Sequence, residues 1–117
     1  MTNNASEEMK LRLRADLKRA MKERRGDELR VLRSLLAALD NAEAPAVATT
    51  AMAMEQMGGL GSTEIQRLAL DEDQVRAALA AQEAERNAAA AEFDRIGRDD
   101  HAAASRAEAV VIRRYLV

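Results

Sequence analysis

The chain has no cysteine and almost no aromatic residues, since its 117 residues include one Phe, one Tyr and no Trp. The missing cysteine excludes disulfides, thiolate metal sites and cysteine nucleophiles. No aromatic side chain lies among the basic residues of the first helix, so base stacking of the single-strand-binding type has no support in the sequence. Alanine, with 26 residues, enlarges the apolar fraction but buries little area. Stability must therefore come from stripes of Leu, Ile, Val and Met.

Targeting and membrane signals are also missing from the sequence. The first residues contain no basic region followed by an apolar stretch, so no secretory signal is expected. The longest uncharged run, residues 44–54, is too short and too mixed to span a bilayer. We therefore expect a cytoplasmic protein with no membrane partner.

Two closely spaced helices are predicted in the first part of the chain. Apolar residues at three- and four-residue steps predict helices over residues 6–25 and 27–43. Gly26 is expected to end the first helix and Asp27 to cap the second. A link this short makes the two helices antiparallel neighbours.

A second pair of helices is predicted over residues 71–96 and 99–116. Acidic side chains favour helix starts, and glycine can take the left-handed conformation that ends a helix. The third helix is expected to begin at Asp71 and to end at Gly97. The fourth helix is expected to begin at Asp99 or Asp100.

Residues 44–70 show no helical period and combine three glycines with β-branched residues, which predicts a long flexible loop. Met52, Met54 and Met57 within it could form an adaptable contact surface or be unstructured. The predicted fold is all-α, a single domain over residues 1–117 with two antiparallel helical hairpins joined by this loop.

The predicted core consists of the apolar helix faces. Its strongest stripe is formed by leucines of the second helix: Leu29, Leu32, Leu35, Leu36 and Leu39. Met21 and Ile96 are expected to face inward near the ends of the first and third helices. On the fourth helix Ala104, Ala107, Val111 and Tyr115 are expected to lie on one side.

One row of cations suggests a ligand. Four basic side chains are expected on the outer face of the first helix: Arg14, Lys18, Lys22 and Arg25. Such a row could follow a phosphate backbone through salt-sensitive contacts that do not depend on base sequence. The alternative is a solvated face that Asp16, Glu23 and Asp27 partly neutralise.

Residues able to support catalysis or hold a metal are sparse. Asp71, Glu72 and Asp73 satisfy the preference of a helix N-terminus for acidic side chains, and magnesium binding there is the alternative. His101, the only histidine, is interpreted as a solvated or locally hydrogen-bonded side chain rather than a catalytic acid or base. We predict no catalytic residue, no metal and no cofactor.

Several short motifs, in their order and spacing, resemble the GatB/YqeY family. This family includes free-standing YqeY-like proteins and the tail domain of the B subunit of the tRNA-dependent aspartyl/glutamyl amidotransferase. The resemblance covers nearly the whole chain and is carried by residues 13–21 with Asp27, residues 31–33, residues 40–44, and residues 61–65 with Arg67. Near the end of the chain the matching positions are Gly97, Arg98, Asp100, Glu108 and Tyr115.

The resemblance implies an all-helical fold and an association with the amidation of misacylated Glu-tRNA or Asp-tRNA. In that enzyme the tail domain looks like a tRNA-gripping appendage, while the kinase and transamidase chemistry lies elsewhere, so no catalytic residue is carried over. Two positions depart from the family. Val117 stands where the family continues with proline into a smaller helical domain, and His101 stands where the family tends to place leucine.

Three functional hypotheses follow from the sequence and the resemblance. The leading one is a non-catalytic GatB/YqeY-type module that binds tRNA or a tRNA-amidation or aminoacylation protein. The alternative is a structural module in which the alanine-rich faces of the last two helices form a homodimer without nucleic acid. The third is an accessory protein of the amidotransferase. The family resemblance then associates the chain with carbon–nitrogen ligase activity, with glutamine as amido-N-donor, although no residue of the chain itself could perform that reaction.

Overall fold

The computed structural model describes residues 4–44 and 67–117, and this part of the chain is all-α. Its helices, in chain order, are α1 (Ala5–Lys22), α2 (Gly26–Glu43), α3 (Glu72–Arg95) and α4 (Asp99–Arg113). The predicted fold class and the two helical hairpins are confirmed, and no strand occurs among these residues. Most of the predicted loop, residues 45–66, lies outside the described residues.

The predicted start and end of α3 are confirmed. The side chain of Asp71 accepts a hydrogen bond from the backbone amide of Gln74 at 2.8 Å, and the Gln74 side chain accepts one from the Asp71 amide at 3.0 Å. This reciprocal pair is a capping box. After α3, Gly97 has a φ of 78°, a left-handed conformation that glycine adopts without steric cost.

The predicted role of Gly26 as a helix stop is wrong. α1 already ends at Lys22, and Arg24 takes the left-handed conformation with a φ of 55°. Gly26 is the first residue of α2 and follows Arg25, an N-cap without a side-chain capping bond. Arginine at positive φ costs about 1 kcal/mol. The backbone amide of Arg25, which donates to the Ala20 carbonyl at 2.9 Å, helps to hold this turn.

The predicted N-caps of α2 and α4 are also wrong. Asp27 lies in the first turn of α2 and pairs with Arg30. Asp99 and Asp100 lie in the first turn of α4, where Arg98 is the N-cap. Carboxylates in a first turn still face the positive end of the helix dipole. The preference for acidic residues is therefore met just inside each helix rather than at its cap.

The core lies between the two hairpins, and α2 is its central element because it packs against the other three helices. The predicted leucine stripe is confirmed at Leu32, Leu35 and Leu39, which are fully buried. The largest apolar side chains buried with them are Leu13, Val31, Leu79 and Ile112. Each buried leucine contributes about 2 kcal/mol of hydrophobic stabilisation.

Several positions predicted to face inward are exposed. Met21 and Ile96, at the ends of α1 and α3, are each 54% exposed. Of the four residues predicted to share one side of the fourth helix, Ala104 and Ala107 face solvent, whereas Val111 is half-buried and Tyr115 is buried. The inward face of α4 instead carries Ala102, Ala109 and Ile112. Alanines occur on every side of α4, so they do not indicate which side is buried. The bulky Ile112 sets the face that packs against the core.

Arg86 of α3 joins three helices through its side chain. Arg86 is half-buried and donates hydrogen bonds to Ser34 of α2 at 2.8 Å and to Gln82 of α3 at 2.6 Å. It also donates to Glu108 of α4 at 3.3 Å. Arg86 is thus the centre of a polar junction between α2, α3 and α4.

Candidate nucleic-acid interface

The outer face of α1 presents three exposed cations, Arg14, Lys18 and Lys22, which we term the cationic ridge. Successive members lie about 6 Å apart along the helix axis, because four residues separate them. The ridge points away from the core because Leu13 and Ala20 are buried on the opposite side of α1. The helical period therefore places three of the four predicted cations on one surface.

Arg25, the fourth predicted cation, lies outside the cationic ridge. α1 ends three residues before it, and its guanidinium group contacts Glu23 at 2.8 Å and Glu28 at 3.3 Å. Helical periodicity could not place Arg25 because the left-handed turn at Arg24 interrupts the period.

The carboxylates expected to neutralise this face are Asp16, Glu23 and Asp27. In the structure Glu23 pairs with Arg25, one of the four predicted cations, whereas Asp16 pairs with Arg19 and Asp27 with Arg30. No residue three or four positions from a ridge cation is acidic, so the spacing that forms ion pairs along a helix is not used. Among residues 4–44 and 67–117 the cationic ridge forms no ion pair.

The motif residues near the end of the chain have structural contacts. Gly97 ends α3, and Arg98 precedes α4 as its N-cap. Asp100 lies 3.0 Å from the ring nitrogen of His101, its neighbour in the chain. Glu108 belongs to the polar junction between α2, α3 and α4. Gly97 and Arg98 thus lie in the turn of the α3–α4 hairpin, and Glu108 links its two helices.

Tyr115 connects the end of the chain to α1. Its hydroxyl donates to Asp16 at 2.6 Å, and the guanidinium carbon of Arg12 lies 4.6 Å from the centre of its ring. The neighbouring Arg114 donates to Glu28 of α2 at 2.5 Å. Burial raises the pKa of Tyr115 well above its ordinary value, and the Asp16 carboxylate raises it further. Tyr115 therefore remains a protonated donor at neutral pH.

A buried ion pair joins the start of α1 to the end of α2, and nothing in the sequence predicted it. The ammonium group of Lys10 lies 2.6 Å from the carboxylate of Glu43, and neither side chain is more than 5% exposed. Asp40 lies 3.2 Å from the same ammonium group. The Ser6 hydroxyl donates to Glu43 at 2.5 Å, and Arg67 lies 3.4 Å from the Glu43 carboxylate.

Both members of this pair are charged at neutral pH. Burial by itself would raise the pKa of Glu43, but hydrogen bonds from Lys10 and Ser6 outweigh burial and hold it below the usual value. Burial would likewise lower the pKa of Lys10, but hydrogen bonds to Glu43 and Asp40 raise it. The pair has the properties of a structural link between α1 and α2.

The other chemical candidates have local structural contacts. The acidic cluster that begins at Asp71 forms the N-terminus of α3. His101 lies against Phe93, with 5.1 Å between ring centroids. Within the described ranges no three potential metal ligands are grouped, and no helix there is long and apolar enough to cross a bilayer. Outside the described residues lie Met52, Met54 and Met57.

Comparison with known proteins gives a family match. The family model described as Yqey-like protein matches residues 10–117, which include most of α1 and the whole of the other three helices. Neither the curated proteins nor the solved structures give a match to the chain.

Proposed function

The chain belongs to the YqeY-like family, and we propose that it is a non-catalytic helical module that binds tRNA through the cationic ridge. The observation that carries this proposal is the exposure of Arg14, Lys18 and Lys22 on one face with no ion pair among the described residues. Unpaired cations can neutralise phosphates without first breaking an internal contact.

The spacing and the surroundings of the ridge also favour a phosphate backbone. Cations that repeat along a rigid helix can follow a strand without reading its bases. The exposed side chain of Leu11 lies on the same face about one turn before Arg14 and adds apolar contact to a mainly electrostatic surface. Similarity to an amidotransferase tail domain supports tRNA as the nucleic acid, with the chemistry supplied by another protein.

We expect the triple variant Arg14→Gln, Lys18→Gln and Lys22→Gln to bind total tRNA about a hundredfold more weakly at low salt, because three phosphate contacts are lost. Binding is measured by fluorescence anisotropy of labelled tRNA at about 50 and 200 mM salt. The slope of log affinity against log salt concentration should become shallower by about two to three.

A charge-matched variant controls for the loss of three positive charges. Arg30→Gln, Arg95→Gln and Arg106→Gln together remove three exposed cations that belong to α2, α3 and α4. This variant should retain the wild-type affinity and salt slope. Equal loss in both triple variants, or no tRNA binding by the wild-type protein at low salt, would contradict the proposal.

One observation favours a second candidate function, self-association through α3. The outer side of this helix carries a continuous row of exposed alanines within about 100° of arc. The row consists of Ala77, Ala80, Ala81, Ala84, Ala88 and Ala91. Small side chains allow the backbones of two helices to approach closely.

If this surface forms a homodimer, Ala84→Glu should raise the dimer dissociation constant by at least about tenfold, because it places a charge and extra bulk in the contact. Sedimentation velocity over a concentration series measures the change. Ala15→Glu, at an exposed position of α1, is the matched control and should leave the dimer intact. A wild-type protein that remains monomeric at every concentration would exclude this function.

A further inference from the structure

A small cavity of ≈ 200 Å³ lies where α1, the start of α2 and the end of the chain meet. Four arginines from these three parts of the chain line it: Arg12, Arg19, Arg25 and Arg114. Two carboxylates, Asp16 and Glu28, line it as well. The walls of the cavity therefore carry an excess of positive charge, although the whole chain has a formal net charge of −2.

The arginines keep much of their hydrogen-bonding capacity. Each guanidinium group has five N–H donors, whereas Arg114 donates one bond to Glu28 and Arg19 one to Asp16. Arg12 forms no ion pair among the described residues: it stacks on the Tyr115 ring and donates to a backbone carbonyl at 3.3 Å. Planar guanidinium groups with free donors match the geometry of phosphate oxygens.

Glu28 limits the positive charge of the cavity. Burial by itself would raise the pKa of Glu28, but hydrogen bonds from Arg114 and Arg25 outweigh burial and lower it. Glu28 is therefore ionised at neutral pH and competes with an incoming anion for these two arginines. Besides Asp16 and Glu28, a third carboxylate lies nearby, because Glu23 contacts Arg25 at 2.8 Å.

We propose that this cavity binds a phosphate group, held by Arg12, Arg19, Arg25 and Arg114 beside the Tyr115 ring. The group is either a free phosphate or phosphomonoester, or a phosphodiester within a nucleic acid. Because none of these residues belongs to the cationic ridge, the site does not depend on tRNA binding by the ridge, and each can fail without the other.

The single tyrosine of the chain reports on this site. Tyr115 is the only tyrosine, so the tyrosine ring signals in a two-dimensional ¹H–¹³C NMR spectrum are assigned to it directly. Inorganic phosphate, methyl phosphate and dimethyl phosphate are titrated separately at constant ionic strength, with sodium chloride as the reference. We expect saturable shifts in the millimolar range. Binding limited to the first two probes assigns a free or terminal phosphate, and equal binding of dimethyl phosphate assigns a phosphodiester.

Paired variants test the assignment to the cavity. Arg19→Gln with Arg25→Gln should weaken binding about tenfold, because charge-assisted hydrogen bonds are lost. Both side chains are more than half exposed, so the fold is expected to survive. Arg14→Gln with Lys22→Gln removes the same charge from the cationic ridge and should leave the shifts unchanged.

Glu28→Gln gives a test of opposite sign. It removes the competing carboxylate while keeping the shape of the side chain, so phosphate should bind about threefold more tightly. Shifts that rise linearly without saturation would overturn the proposal. Equal weakening in the two double variants, or weaker binding by Glu28→Gln in a protein with an unchanged NMR fingerprint, would also overturn it.

Discussion

Replacing Lys10 with methionine is expected to lower the free energy of unfolding by about 3 kcal/mol, because it leaves the carboxylate of Glu43 buried without its closest cation. The value lies at the lower end of the range for a broken buried pair, since Arg67 and Ser6 still contact Glu43. Urea denaturation followed by circular dichroism measures the change. Lys18→Met, which removes an exposed lysine from the same helix, should change stability by less than about 0.5 kcal/mol.

A double variant distinguishes the effect of the ion pair on stability from the effect of burying its two side chains. Lys10→Met combined with Glu43→Leu removes both charges and should recover much of the loss, because no unpaired buried charge remains. The two single variants and the double variant form a cycle that measures the coupling. A Lys10→Met protein within about 1 kcal/mol of wild type would show that water reaches the Glu43 carboxylate in the folded state.

The dependence of the free energy of unfolding on pH in the acid range tests the same pair independently. The folded-state pKa of Glu43 is lowered from the usual 4.5. Its ionisation therefore stabilises the fold at pH values above about 4.5, and this contribution is lost as pH falls through the lowered value. The double variant lacks both charged groups, so this loss of stability at acid pH should be absent from it. The raised pKa of Lys10 acts in the other direction, since its contribution is lost only as pH rises above 10.5.

The helices were predictable from sequence because their signals are local. The leucines of α2 recur at three- and four-residue steps and define its buried face. Asp71 at the start of α3 forms a capping box, and Gly97 takes the left-handed conformation after the end of this helix. Each signal depends on residues a few positions apart. The turn at Arg24 was missed because an arginine in a left-handed conformation has no recognisable sequence signal, whereas Gly26 beside it does.

The contacts of Lys10 and Glu43 could not be read from sequence for a different reason. These residues are 33 positions apart, and their burial depends on how α1 crosses α2. In the sequence both look like ordinary exposed charges of amphipathic helices. The cationic ridge was largely predictable, because one helical period relates its members. The partners of the nearby carboxylates were not, since side-chain geometry and the end of α1 decide them.

Tyr115→Ala is expected to lower the free energy of unfolding by about 3 kcal/mol, because it removes a buried ring on which the last turn of the chain closes against α1. Tyr115→Phe should cost only about 1 to 2 kcal/mol. It keeps the ring and its contact with Arg12 but removes the hydroxyl that donates to Asp16. Guanidinium denaturation of both variants measures the two losses.

The two variants distinguish the ring from its hydrogen bond, and Asp16 provides the control. In Tyr115→Phe the Asp16 carboxylate keeps its contact with Arg19 at 2.7 Å, which limits the cost of losing the hydroxyl. Asp16→Asn removes the charge but leaves an acceptor, so it should cost less than Tyr115→Phe. If the phenylalanine and alanine variants lost equal stability, the hydrogen bond rather than ring packing would hold the end of the chain. A much smaller loss in Tyr115→Phe assigns that role to the buried ring, which joins the second hairpin to the first.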